Sequence, residues 1–192
     1  MFSKFNLRKD EKMKTVQKMT VSALLLAVGL LLPFLTAQIQ QIGQMLSPMH
    51  LPVLLCGLLC GWKYGLAVGI VLPILRSFLF GMPMLFPQAV AMAFELGTYG
   101  FISGFVYEKV SRQNIGTVYE ALIFAMLGGR IVYGIVMACI MAALHQPYSF
   151  QMFLSMAFIN GIPGIILQLL LIPLIMAVLN STKLVPFKKC PA

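Results

Sequence analysis

Arg76, Glu95 and Arg130 are the ionisable residues that fall inside otherwise apolar runs of this sequence. Charge at the centre of a hydrocarbon layer costs at least about 2.5 to 3.5 kcal/mol, so such residues pair with one another or line a polar cavity. Arg76 lies just before a break at Gly81-Met82-Pro83, and Glu95 follows soon after the break ends at Pro87. With helices on both sides of the break, Arg76 is expected roughly 6 Å and Glu95 roughly 12 Å below one membrane face. The pair could staple two helices together or serve a cargo, and service to a cargo is the default for intramembrane charge.

The same depth argument gathers further residues. Helical rise puts Arg130 roughly 18 Å from the inner end of its segment and Asn160 roughly 15 Å below the outer face, so both can share the outer half of a bundle with Arg76 and Glu95. His50 begins a segment on that side, and Gln168 follows Asn160 about two turns deeper. These six residues, Arg76, Glu95, Arg130, Asn160, His50 and Gln168, form a candidate substrate-binding cavity open to the outside. The remainder of its lining is expected to be aromatic or methionine, as in other small-molecule pockets.

Two arginines against one carboxylate leave an unbalanced positive charge if all three ionise, and burying unpaired charge is unfavourable. An anionic or strongly polar ligand would balance it, since a carboxylate accepts paired hydrogen bonds from a guanidinium. Arg76 or Arg130 would then hold the acid group, while Glu95 orients the arginine or accepts from a ligand donor. In the competing arrangement one arginine pairs with Glu95 and the other reaches toward an interface.

Catalysis finds little to work with. The core offers one carboxylate, His50 and His145 lie near loops, and no paired carboxylates, HExxH or nucleophile and base are present. No cofactor is implied. Cys56 and Cys60 share a helix face without a partnering histidine cluster, and with Cys139 and Cys190 they read as free thiols. Met82-Pro83-Met84 raises soft-metal transport, but methionine more often packs. No metal site is expected.

The elements that must position these residues are membrane helices. The chain has 192 residues, 60% hydrophobic and 10% charged, with mean hydropathy +0.92. Almost nothing is left for a soluble domain. A first segment runs from about Gln17 to Ala37 behind Lys12, Lys14 and Lys18. Thr36-Ala37 resembles a signal-peptide cleavage site, but the charged lead and the long apolar run favour a retained helix. The uncharged stretch from Gln38 to His50 is an external loop, and Gln38 to Pro48 is expected to cover the cavity as a lid. Leu51 to Gly61 and Gly65 to Phe80 are either one kinked helix or a hairpin. The hairpin, turning at Gly61-Trp62-Lys63-Tyr64-Gly65, is preferred because Trp, Lys and Tyr mark an interface. Further segments cover Gln88 to Tyr107, Val118 to Leu144 and Phe150 to Leu179, with an external turn at His145-Gln146-Pro147-Tyr148. Glycines 57, 61, 65 and 69 recur at the four-residue spacing that lets membrane helices approach closely.

The net charge of +9 follows topology and does not call for nucleic acid. Six basic and two acidic residues lie in positions 1 to 18, Lys63 marks an inner turn, the charges of residues 108 to 120 cancel, and Lys183, Lys188 and Lys189 close the chain. Basic residues at both ends place both termini inside. The expected architecture is an all-α integral membrane protein of six transmembrane helices with cytoplasmic termini. Residues 1–16 form a basic cytoplasmic segment, 17–180 a six-helix domain in membrane lipid, and 181–192 a basic tail.

Ala23-Leu24-Leu25-Leu26-Ala27 in the first helix, Ser47-Pro48-Met49-His50, Phe94-Glu95-Leu96, and the six-helix layout with inside termini together resemble the S components of energy-coupling factor (ECF) vitamin transporters. The resemblance spans nearly the whole chain. It implies that Ala23 and Ala27 contact a transmembrane coupling subunit, that two ATPase subunits supply energy, and that this chain captures a vitamin or precursor from outside the cell. Pantothenate fits the anionic class, with folates, cobalamin precursors and other heterocycles left open. Cobalt and nickel members carry a histidine next to the initiating methionine, whereas this chain begins Met1-Phe2-Ser3-Lys4. The chain also lacks a GxxxxGK[ST] loop, so it cannot hydrolyse ATP itself. The alternative is a stand-alone ion- or proton-coupled carrier in which Glu95 relays the coupling ion.

Overall fold

The computed structural model describes residues 15–35, 48–110, 113–146 and 162–182. All elements among them are helical: α1 (Thr15–Leu35), α2 (His50–Cys60), α3 (Trp62–Phe80), a π-helical turn (Leu85–Ala89), α4 (Val90–Lys109), α5 (Ile115–Ala143) and α6 (Ile162–Ser181). Five spans, α1, α3, α4 with its preceding turn, α5 and α6, are long and apolar enough to cross a membrane. The eleven-residue α2 is the exception. It covers only about half of a roughly 30 Å hydrocarbon layer.

Helix α4 sits at the centre, packed against α3, α5 and α2, while α1 lies across α2 and α3 and α6 lies on α5. Its sequence explains the position. Ala91, Ala93, Gly97, Gly100, Ser103 and Gly104 are buried and small, so neighbouring backbones come close. A Cβ on Gly100 would collide with the backbone of Gly65, and one on Gly104 would lie 2.5 Å from the Trp62 nitrogen and 2.8 Å from the Gly57 oxygen.

The hairpin between α2 and α3 is present, with a shorter turn than expected. Gly61 alone connects them, and Trp62 already begins α3. Its φ of 98° lies where a side chain is strained, so glycine reverses the chain in one residue. A Cβ on Gly65 would come within 2.7 Å of the Gly57 Cα; in one continuous helix these residues would stand about 12 Å apart. From the shared turn, α3 has 19 residues and α2 has 11. Helix α2 therefore stops about 12 Å short of the end of α3.

The remaining boundaries shift by a few residues. The described part of the first helix is 15–35, where 17–37 is expected, and the fifth covers 115–143 rather than 118–144. Helix α3 ends at Gly81 with φ 69°, and the connection to α4 contains an extended Phe86 (φ −127°, ψ 132°) inside its π-helical turn. Of the sixth segment, 162–181 is helical; residues 150–161, like the loop before Pro48 and the closing tail, lie outside the described residues.

Candidate functional site

Glu95, 2% exposed, is the centre of a polar cluster built by three helices. Its Oε1 lies 3.2 Å from Arg130 Nη1 of α5 and 3.7 Å from His50 Nε2 at the start of α2. Tyr99, one turn along α4, donates its hydroxyl to the same oxygen at 3.0 Å. The His50 and Tyr99 rings tilt against each other with centroids 5.1 Å apart. Because α2 is short, its first residue stands level with Glu95, a turn or two inside α4. Gly129 completes the arrangement, since a Cβ there would run into the Tyr99 ring.

The arginine expected beside Glu95 across the break, Arg76, has a different role. Its Nε donates to the Met82 carbonyl at 3.1 Å, and Ser77 Oγ donates to the Pro83 carbonyl at 2.7 Å. Both bonds tie the end of α3 to the connection that follows it. The pairing across the core is supplied by Arg130 instead. One arginine pairs with Glu95, and the other holds the connection between α3 and α4.

Gln168 is buried on α6, and the Glu95 contacts found among the described residues come from His50, Tyr99 and Arg130. Asn160 lies outside the described residues, as does the expected lid except for Pro48. Tyr99 was not anticipated, although its spacing four residues after Glu95 on one helix is the signal that could have found it.

Beside the cluster, a cleft of ≈ 150 Å³ opens between α5 and α6, lined by Ile123, Met126, Leu127, Arg130, Ile165 and Leu169. Arg130 is the one residue of that lining with a polar group, and the surface it gives to the cleft is its apolar stem. Its Nε is buried and has no hydrogen-bond partner among the described residues. The guanidinium thus reaches Glu95 through one nitrogen while another is left without an acceptor.

On the opposite side, Ala23 and Ala27 are exposed on one face of α1 together with Leu24, Val28 and Leu31. The other face is fixed to the bundle: buried Ser22 accepts a 3.4 Å hydrogen bond from the Cys56 thiol of α2.

Residues 17–176 match the family model of the ECF transporter, substrate-specific component. The chain belongs to this family. Neither the curated proteins nor the solved structures yield a match. An ECF substrate-specific component is a multi-pass membrane protein that takes a small-molecule substrate and works with the other subunits of the transporter; it is not a class of enzyme.

Proposed function

We propose that this chain captures a small, anionic, water-soluble vitamin or vitamin precursor from outside the cell and passes it on through a transmembrane coupling subunit driven by two ATPase subunits. The observation that carries the reading is Arg130, held by Glu95 through Nη1 while its buried Nε has no acceptor among the described residues. Glu95 orients the guanidinium, and a ligand carboxylate supplies the missing acceptor. A carboxylate bound in this way gains charge-assisted hydrogen bonds in a site largely shielded from water. His50 and Tyr99 are placed to fix the carboxylate of Glu95, with Gln168 and Asn160 further along the sixth segment and Arg76 toward the outer connection. Pantothenate belongs to the fitting class.

The short α2 supports entry from the outer side, because it ends at the level of Glu95 while α3 runs about 12 Å further. In this reading α2 and the segment before it complete a sixth crossing, and the basic residues at both ends keep the termini in the cytoplasm. The exposed Ala23 and Ala27 face allows a partner helix to approach α1 closely. Reconstitution in vesicles tests the whole assignment: ligand uptake should require the coupling subunit, the ATPases and ATP. Uptake by the isolated chain driven by an ion gradient would overturn it in favour of a carrier using Glu95.

A further inference from the structure

From Ser77 to Phe94 the sequence contains no charged residue, although this stretch includes the connection between α3 and α4, where a water-exposed loop would ordinarily be polar. The side chains that point outward here are large and apolar: Phe78, Phe80, Met82, Met84, Leu85 and Phe86 are all exposed, with Met84 reaching 72%. Several backbone groups beneath them find partners within the protein. The carbonyl of Met82 accepts from Arg76 Nε and that of Pro83 from Ser77 Oγ. The carbonyl of Met84 accepts from the Ala89 amide at 2.9 Å, and that of Ser77 accepts from the Gly81 amide at 2.9 Å. Pro83 and Pro87 have no amide hydrogen to satisfy.

Irregular backbone survives in a hydrocarbon layer only where its polar groups find partners inside the protein. An arginine turned inward onto a loop carbonyl, under an outer shell of phenylalanine and methionine, answers part of that requirement. We infer that the connection Gly81–Phe86 is embedded in lipid, as an apolar wedge whose partner is the acyl chains of the surrounding membrane. The patch is continuous with the lipid-facing side of the bundle, where Ile70 and Val71 of α3 and Phe94 of α4 are also exposed. This placement stands independently of which substrate the chain carries.

Tryptophan fluorescence tests the inference. Trp62 is the single tryptophan of the chain and begins α3 at the far end from this connection, so it is first removed as Trp62→Phe. Met84→Trp and Phe86→Trp are then made separately in that background and reconstituted in phosphatidylcholine vesicles. Lipids brominated on the acyl chains should quench most of the new emission, which should be blue-shifted, and aqueous iodide should quench little of it. Strong iodide quenching with little effect of brominated lipid would overturn the inference. An indole shielded from both quenchers would also overturn it, since a protein partner would then cover the loop. Two positions keep the test open if either variant fails to fold.

Discussion

Replacing Glu95 by glutamine leaves the shape of the cluster nearly unchanged and removes its negative charge. The side chains of Arg130 and Glu95 are 11% and 3% exposed, so the guanidinium loses its counter-charge without gaining much water. Breaking a buried ion pair on one side costs about 3 to 5 kcal/mol. The residual exposure of Arg130 places the expected loss at the lower end, about 3 kcal/mol, or roughly a hundredfold in the folded-to-unfolded ratio. Replacing both partners, Glu95→Gln with Arg130→Met, removes the unpaired charge and should cost less than Glu95→Gln alone. The assay is thermal unfolding of the detergent-solubilised protein, read with a fluorogenic thiol reagent. Cys56 and Cys60 are buried and report unfolding, while exposed Cys139 supplies the baseline. A loss below about 1 kcal/mol for Glu95→Gln, or a double variant that loses the sum of the two single effects, would refute the pairing argument.

Two further outcomes follow from the packing. Gly100→Val should destabilise by at least about 1 to 3 kcal/mol in the same assay, since its side chain must displace the Gly65 backbone; unchanged unfolding would contradict the close crossing of α3 and α4. Ala23→Leu with Ala27→Leu should abolish ATP-driven uptake by the assembled transporter while ligand binding to the isolated chain persists, because the two side chains widen an exposed face without touching the cluster. Normal uptake by that double variant would count against the coupling role of α1.

Much of the fold could be read from the chain because lipid imposes simple rules. Apolar runs of span length and the Trp62-Lys63-Tyr64 interface mark located α1 and the α2 and α3 hairpin, and the glycine spacing pointed to close helix approach. What depth arguments could not supply was rotation about each helix. Arg76 and Arg130 both lie at a suitable level, yet one faces a loop carbonyl and the other faces Glu95, and nothing in hydrophobic spacing distinguishes them. The turn was read too long because left-handed geometry at Gly61 is a backbone property of one residue, invisible in the polarity of its neighbours. The short α2 was legible, since a segment from His50 through Leu51–Gly61 is expected and the helix covers His50–Cys60. The polar membership of the site was therefore partly legible, and the actual pairing became legible only with the helix faces in place.

The most direct test of the central claim joins ligand identity to Arg130. The small molecule that co-purifies with the protein is identified by mass spectrometry, and its affinity is measured for the native chain and for Arg130→Gln. A hydrogen bond to a charged group contributes about 1.5 to 3 kcal/mol, so the variant should bind roughly ten- to a hundredfold more weakly. The account predicts an anionic ligand that shows this loss. A cationic ligand, or an anionic one bound equally well by Arg130→Gln, would contradict it.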